Sequence, residues 1–449
     1  MSLLPPADLT QISALFGCPF AGQNKSFSKV SIDSRSIAPG ELFVALAGPR
    51  FDGHEFIDIA KKQGAVAAVV HREVDADLPV FMVPDTRVAL AQLAHARRQA
   101  FMGLTIAITG SNGKTTVKEM IAAILRNQGE VLATQGNLNN DIGLPLTLMQ
   151  LSEAHQYAVL EMGANHAKEI ESLAKIAQPE IAIVTNVGCA HIEGFGSKDG
   201  IAKAKGELYE QLAPQGIAVI NADEPYADFW AGLATHCKQM TFAIANKTAD
   251  VRVVNLSVEP QGSRFELHTP LGVTVINLPL LGRHNILNAA AAATVAIAAE
   301  APLDAIAKGL AGLSAVSGRL HAMTGKRGAL IIDDTYNANP DSLQAGIDVL
   351  ADFAGQRILV LADMLELGSA SGRYHQSIGE YAKQAGLDGL YCFGEQSEQA
   401  AIAFGKAAKH FTSQQVLLHE LVKVLGSELT ILVKGSRGMK MENIVKALV

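Results

Sequence analysis

A glycine-rich segment, IAITGSNGKTT at residues 106–116, contains the residue types that bind phosphate. An apolar stretch typical of a buried strand leads into Gly110 and Gly113, which are followed by a lysine and two threonines. Glycines let backbone amides approach a phosphate closely, and the start of a helix favours an anion. Lys114 could therefore reach the β- and γ-phosphates of a nucleotide, and the Thr115 hydroxyl could bind Mg²⁺.

This segment is shorter than the general phosphate-binding loop, GxxxxGK followed by Ser or Thr. The first glycine of that pattern would stand at Ile108, so an ordinary strand-to-helix turn is the alternative interpretation. The strand, both glycines and Lys-Thr-Thr nevertheless occur in the order that phosphate binding requires. We therefore predict a nucleotide-binding loop.

Other polar side chains stand where predicted strands end. Glu161 ends an apolar strand, and His191 follows another through a short loop. The carboxyl ends of parallel strands form the edge at which ligands bind in α/β sheets. Glu161 could bind Mg²⁺ or act as a structural cap, whereas a lone histidine is more often a hydrogen-bonded side chain. Lys203 and Lys205 are two residues apart on a predicted helix, so they should point in different directions.

The composition of the chain excludes several classes of protein. It has 449 residues, 49% of them hydrophobic and 18% charged, so about three domains with buried cores are expected at ~150 residues each. The formal net charge of −7 argues against nucleic-acid binding. The most apolar stretch, Ala289 to Ala299, is shorter than the ~20 residues of a membrane span. Four dispersed cysteines and the absence of a signal-peptide pattern predict a cytoplasmic location.

Strands and helices alternate along most of the chain, which predicts an α/β fold. We expect a small N-terminal α/β domain at residues 1–84 and a central P-loop-type, doubly wound, mostly parallel sheet at 85–313. Three antiparallel strands between 250 and 278 belong to the central domain. A second βα series at 314–449 predicts a C-terminal Rossmann-like sheet.

The TGSNGKTT loop resembles the variant loop of the Mur ligases and folylpolyglutamate synthetases, which are ATP-dependent amide-bond ligases. The resemblance to the Mur ligase family extends over the whole chain, and it is greatest to the enzymes that add D-alanyl-D-alanine to UDP-N-acetylmuramoyl-tripeptide. The other segments that carry it are GNLNNDIGLPLTL (136–148), EMGANHAKEI (161–170), TNVGCAHIEGFGS (185–197), KAKGEL (203–208), LGRHNILNAAAA (281–292), SGRL (317–320) and DDTYNANPDS (333–342).

The resemblance implies ATP and Mg²⁺ as cofactors, and it implies a role for each residue that matches the family pattern. The implied nucleotide-binding residues are Gly110, Ser111, Asn112, Gly113, Lys114, Thr115, Thr116, Asn285, Asn288, Arg319, Asp334, Tyr336 and Asn337. The implied metal-binding residues are Thr115, Glu161, His191 and Lys205, the last as a carbamylated lysine. The implied catalytic residues are Lys114, His191, Lys205 and Arg319. The implied substrate-binding residues are Ser34, Arg35, Asn139, Asn140 and Arg437. Asp341 is interpreted as a helix N-cap.

The implied reaction joins a carboxylate to an amine through an acyl phosphate and completes UDP-N-acetylmuramoyl-pentapeptide. The first domain would bind the UDP-sugar, the second ATP, and the third the incoming dipeptide and part of ATP. The expected partners are the two substrates, with neither nucleic acid nor a membrane, and a monomer is expected. The alternatives are a sibling ligase for another amino acid, a folylpolyglutamate synthetase-like ligase and a nucleotide switch without ligase chemistry. The DNPR motif of the diaminopimelate-adding sibling is absent.

Overall fold

The computed structural model describes residues 7–20, 22–49, 51–189, 192–259 and 262–449. Over these residues the chain forms three larger sheets and one pair of short strands. Within the same ranges, no helix is both long and apolar enough to cross a membrane, and the four cysteines are free. The predicted α/β class is confirmed.

The first sheet is small and wholly parallel. A pair of short antiparallel strands precedes it, β1 (Ala7–Asp8) and β2 (Ser26–Phe27). The sheet has the order β3-β4-β5-β6 and consists of β3 (Val30–Ser31), β4 (Leu42–Val44), β5 (Ala67–Val70) and β6 (Val80–Met82). Its helices are α1 (Leu9–Phe16), α2 (Ile57–Lys62) and α3 (Thr86–Ala100).

The central sheet has nine strands in the order β15-β14-β13-β12-β11-β10-β7-β9-β8. They are β7 (Leu104–Thr109), β8 (Val131–Ala133), β9 (Tyr157–Glu161), β10 (Ile181–Val184), β11 (Ile217–Asn221), β12 (Lys238–Ala243), β13 (Val251–Glu259), β14 (Gly262–Thr269) and β15 (Gly272–Leu278). Pairing is parallel from β8 to β13 and antiparallel from β13 to β15, as predicted. The helices are α4 (Lys114–Leu125), α5 (Gly143–Leu148), α6 (Glu169–Ala177), α7 (Ile192–Phe195), α8 (Lys198–Glu210), α9 (Ala227–Leu233), α10 (Arg283–Ala298) and α11 (Leu303–Ala311).

The last sheet has the order β16-β17-β21-β18-β19-β20. Its strands are β16 (His321–Thr324), β17 (Leu330–Asp334), β18 (Gln356–Ala362), β19 (Gly389–Phe393), β20 (Ala408–Phe411) and β21 (Leu429–Lys434). Only the β16–β17 pair is antiparallel among these described strands, which agrees with the predicted Rossmann-like sheet. The helices are α12 (Pro340–Ala351), α13 (Ser371–Gln384), α14 (Glu398–Phe404), α15 (Gln414–Val424) and α16 (Glu442–Leu448).

Helix α3 joins the first sheet to the central one. It packs against α1 and β5 on one side and against α5 and α6 on the other. A single apolar cluster therefore contains residues of both parts, for example Val69, Leu93 and Leu160. Arg97 and Arg98 of α3 are buried and donate hydrogen bonds to backbone carbonyls of the central part, which fixes the helix there.

The helix that carries the phosphate loop, α4, is held by close contact with α10 and α11. Five consecutive alanines of α10, residues 289–293, are buried and let helices approach closely. On α11, a Cβ added at Gly309 would lie 2.5 Å from Cα of Ile124. Small residues thus set the distance between α4 and its neighbours, and with it the position of the loop.

We predict that Gly309→Ala lowers stability although alanine is the better helix former. The new methyl group must displace the α4 backbone, which should reduce the free energy of unfolding by about 1–3 kcal/mol. Gly232→Ala is the matched control, since Gly232 also lies in a helix but no atom lies within 4 Å of its added Cβ. That control should be neutral or stabilising by up to about 1 kcal/mol. Urea unfolding of both variants checks the contrast, and equal effects would show that α11 does not constrain α4.

Candidate active site

The phosphate loop depends on its two glycines because other elements approach it closely. Gly110 has φ 149° and Gly113 has φ 81°, both in the region that glycine tolerates best. A Cβ on Gly110 would lie 1.8 Å from Thr185 Oγ1, and a Cβ on Gly113 would lie 2.6 Å from Asn288 Oδ1. The loop is therefore enclosed by the segment after β10 and by α10.

Lys114 lies over this loop. Its Nζ donates hydrogen bonds to the carbonyl oxygens of Gly110, at 2.7 Å, and Ser111, at 3.3 Å. Burial lowers the pKa of Lys114, the Arg319 charge lowers this pKa further, and the negative charge of Glu161 acts in the opposite direction. A bound phosphate would favour the charged lysine in the same way as Glu161 does.

Glu161 is buried at the carboxyl end of β9, and both of its carboxylate oxygens accept hydrogen bonds. The donors are the Thr115 hydroxyl and the Asn139 amide, each at 2.8 Å. Within the described ranges, no group of three or more His, Cys, Asp or Glu residues could hold a metal ion. A hydroxyl beside one carboxylate instead fits Mg²⁺, which commonly binds one or two protein carboxylates together with phosphate oxygens. Asn139, expected to bind substrate, orients this carboxylate.

Lys205 lies on the buried face of α8, whereas Lys203 is exposed, as their spacing predicted. In the described part of the chain, Lys205 Nζ has no hydrogen-bond or salt-bridge partner, and it lies 6.0 Å from the centroid of the Phe195 ring. Burial, with a smaller effect from Lys114, holds the pKa of Lys205 well below its usual value. The fold thus favours a neutral amine here. His191, the other predicted metal ligand, lies outside the described residues.

Two cavities meet at the phosphate loop. The first, about 290 Å³, lies between the loop, α10 and the last sheet, and its walls include Asn112, Gly113, Thr116, Asn285, Asn288, Arg319 and Asp334. The second, about 760 Å³, includes Ser111, Lys114, Asn139, Asn140, Glu161, Arg319, Tyr336 and Asn337 in its walls. Asn112 and Arg319 line both cavities. A molecule bound in the first cavity could therefore present its end to a second molecule at Lys114 and Glu161.

The last sheet contributes an arginine and a buried ion pair. The Arg319 guanidinium lies 4.0 Å from the centroid of the Tyr336 ring, a cation–π contact that fixes its direction. Asp334 accepts a hydrogen bond from Lys434 Nζ at 2.5 Å. Burial lowers the pKa of Lys434, while Asp334 opposes that shift. Because Lys434 neutralises Asp334, this carboxylate can remain buried beside the first cavity.

Several residues that line the first cavity were not predicted as site residues from the sequence. They are Asn186, Glu224, His284 and Lys434. Asn186 follows β10, Glu224 follows β11 and Lys434 ends β21, so the position after a parallel strand was a usable signal for three of them. Burial raises the pKa of Glu224 to about 7.

The structure does not bring every predicted substrate residue to these cavities. Ser34 and Arg35 line neither cavity, and the Arg35 guanidinium is exposed and bonded to Asp33. Asn140 lines the second cavity, but its Oδ1 accepts the Gly143 N–H at 2.8 Å near the start of α5. Arg437 lines a separate cavity of about 110 Å³.

The interpretation of Asp341 as a helix N-cap is wrong. Asn339 is the N-cap of α12, and its Oδ1 accepts the Ser342 N–H at 2.9 Å. Pro340 occupies the first helical position, which it suits because it has no N–H to leave unpaired. The cap is therefore the residue before the proline. Asp341 instead accepts the backbone N–H of Cys189, in the central part, at 2.6 Å.

Comparison with known proteins identifies the family. Three family models match: "Mur ligase family, catalytic domain" at residues 26–98, "Mur ligase middle domain" at 108–296 and "Mur ligase, glutamate ligase domain" at 318–437. The UDP-N-acetylmuramoyl-tripeptide–D-alanyl-D-alanine ligase of Escherichia coli K12 is 45% identical over 442 residues, which are 98% of each chain. The chain belongs to the Mur ligase family.

Solved structures of Mur ligases are similar over nearly the whole fold. MurF from Acinetobacter baumannii has a TM-score of 0.94 at 36% identity, covering 99% of this chain and 98% of that one. MurF from Thermotoga maritima, solved in complex with ADP, has a TM-score of 0.85 at 31% identity, covering 93% and 96%. The family resemblance and the three-part α/β architecture predicted from the sequence are both confirmed.

Replacing Lys205 should stabilise the fold. Below pH 10.5, the usual pKa, the unfolded chain keeps this lysine charged, whereas the fold disfavours the charge. The resulting loss of stability is greatest below the lowered pKa of the folded state, and it shrinks as the pH rises from there towards 10.5. In CO₂-free buffer, Lys205→Met should therefore raise the free energy of unfolding at pH 7 by about 1–3 kcal/mol, and by less at pH 10.

Urea unfolding at both pH values measures this difference. Lys203→Met is the control on the exposed face of the same helix, and it should change stability by less than about 0.5 kcal/mol. A destabilised Lys205→Met variant at pH 7 would show that the buried amine is satisfied in the fold.

Proposed function

We propose that this chain is the ATP-dependent ligase that joins D-alanyl-D-alanine to UDP-N-acetylmuramoyl-tripeptide. The observation that carries the proposal is the position of Lys114, Glu161 and Arg319 where two cavities meet at the phosphate loop. The substrates are those stated in the names of relatives that are similar over the full length of the chain. The product would be UDP-N-acetylmuramoyl-pentapeptide, a precursor of peptidoglycan.

The proposed reaction activates a carboxylate that is otherwise inert towards amines. An oxygen of the tripeptide carboxylate attacks the γ-phosphorus of ATP, and ADP leaves, which gives an acyl phosphate. The amine of the dipeptide then attacks the acyl carbon, the C–O bond to phosphate breaks, and the amine loses a proton. An anion attacks another anion in the first step, so the site must supply positive charge.

Positive side chains of this chain fit that requirement. Lys114 would exchange its bonds to loop carbonyls for bonds to the β- and γ-phosphates. Arg319, held against Tyr336, lines both cavities and would stabilise the charge on the transferred phosphoryl group. Mg²⁺ held by Thr115 and Glu161 would add positive charge beside the phosphates. Asn285 and Asn288 line the first cavity, where we place the nucleoside, with Asp334 and Thr116.

Lys205 is proposed to act as a carbamate. A neutral amine can attack CO₂, forming an N–C bond and losing one proton, and the product is an anion with two oxygens. The burial of Lys205 and its freedom from partners in the described part of the chain favour the neutral amine that this step needs. The carbamate would place negative charge near Lys114 and offer oxygen ligands for Mg²⁺.

The three parts of the chain are proposed to divide the substrates. Residues 1–84 would bind the UDP-sugar, 85–313 ATP, and 314–449 the dipeptide and part of ATP. Ser34 and Arg35 are proposed to bind the UDP-sugar outside the second cavity, whereas Arg437 keeps its proposed substrate role only if substrate binding moves the last part closer to that cavity. A monomeric state and a cytoplasmic location stay predictions from the sequence.

Phosphate release from ATP tests the proposed function. The purified full-length protein with UDP-N-acetylmuramoyl-tripeptide and Mg²⁺ should release phosphate rapidly only when D-alanyl-D-alanine is added. Lys114→Ala should reduce this rate by at least about 100-fold, because a charge that stabilises the transition state is lost. Lys203→Ala, on an exposed helix face, is the control and should retain the rate.

A panel of amine substrates separates the alternatives. Release that requires a single amino acid instead of the dipeptide would identify a sibling ligase, and release that requires glutamate and a folate would identify a folylpolyglutamate synthetase. Release independent of any amine would indicate a nucleotide switch. Each of these results would overturn the proposed substrate assignment, and full activity of Lys114→Ala would overturn the role of the loop.

A further inference from the structure

The N-terminus of α12 touches the phosphate loop itself. Asn339 Nδ2 donates a hydrogen bond to Asn112 Oδ1 at 2.7 Å. Asn112 is otherwise fixed from the central part: its N–H donates to Asn186 Oδ1 at 2.9 Å, and its carbonyl accepts from Thr185 Oγ1 at 2.6 Å. The backbone of Asn112 is thus held by residues of the central part, and its side chain is held by a residue of the last part.

A second bond crosses the same junction two residues further along the chain. Asp341 Oδ2 accepts the Cys189 N–H at 2.6 Å, and its other oxygen lies 3.9 Å from Lys198 Nζ. Gly188 lies between the two bonds, since a Cβ added there would be 2.7 Å from Asp341 Oδ2 and 3.0 Å from Asn112 Nδ2. The close approach of the two parts therefore requires a residue without a side chain at position 188.

This junction connects the last sheet to the wall of the first cavity. Helix α12 packs on β21 and β18, and β21 carries Lys434, the partner of Asp334. Arg319 lies just before β16 of the same sheet. Tyr336 lies in the short loop between β17 and α12. When the α12 N-terminus is docked, these side chains are placed opposite the loop as one group.

We propose that Asn339 and Asp341 are positioning residues, whose bonds to Asn112 and to the Cys189 amide dock the last sheet on the phosphate loop and set the affinity for nucleotide. The nature of the nucleotide rests on the proposed function, but the docking does not. Neither residue is assigned a chemical step. Their loss should therefore weaken nucleotide binding and leave the maximal rate at saturating ATP largely intact.

Two substitutions each remove one of the two bonds across the junction, and Asp341→Ala also removes the contact with Lys198. Asn339→Ser retains an oxygen that can cap α12 but cannot reach Asn112. Asp341→Ala removes the acceptor for the Cys189 amide, whereas Asp341→Asn restores one. We expect Asn339→Ser and Asp341→Ala each to raise the Kd for ADP and the KM for ATP about three- to tenfold, with kcat within about twofold. Asp341→Asn should recover most of the affinity lost in Asp341→Ala.

A double-mutant cycle shows whether the amide pair acts as one contact. Asn112→Ala and Asn339→Ser should weaken ADP binding together no more than the larger single effect does, because both remove the same bond. Ser413→Ala is the control for a lost helix cap in the same sheet, since Ser413 caps α15 far along the chain from this junction. It should leave the Kd for ADP unchanged.

The binding measurement is direct, by calorimetry with ADP on the full-length protein, so it does not depend on turnover. Additive effects in the cycle, an unchanged Kd in both Asn339→Ser and Asp341→Ala, or a fall in kcat without a rise in Kd would each overturn the positioning role. If the wild-type protein binds ADP but adds no dipeptide, the proposed function fails while the docking proposal is still tested by the same Kd values.

Discussion

Positive charge buried without an equal negative charge is the constraint on which this site depends. Lys205 is buried and Lys114 is half-buried, the charge of Lys114 disfavours the charged form of Lys205, and Glu161 is the carboxylate whose charge opposes the pKa shift at Lys114. Such an arrangement is unfavourable in the empty protein and becomes favourable when anions arrive. The glycines of the loop, the alanines of α10 and the stacking of Arg319 on Tyr336 all serve to hold these groups at fixed positions until then.

The fold was largely predictable because its strands are short, apolar and buried on both faces. The antiparallel pairing from β13 to β15 was also visible, since the apolar pattern changes period over residues 250–278. Helix α15 and strand β20 were not predicted. Residues 408–424 mix charged and apolar side chains without a clear period, and tertiary packing of Leu417 and Leu421 decides the helix.

The residues of the candidate site were also predictable only in part. Residues adjacent in sequence, such as Lys114 and Thr115, were predictable from local order, and the spacing of Lys203 and Lys205 was enough to separate a buried from an exposed lysine. Contacts between distant segments were not. Asn139 beside Glu161 and Asp341 beside Cys189 depend on which loops meet in space, and a proline at position 340 shifted the helix cap by two residues from the expected one.

The apolar cluster shared through α3 also bears on how the molecule moves. Because the first and central sheets bury side chains against each other, separating them would expose apolar surface to water, whereas the last sheet has clusters of its own. Rigid-body rotation is therefore easier about the connection near residues 312–318 than about residue 84. The first and central parts should therefore move as one rigid body and the last part as another, with the first cavity between the two bodies.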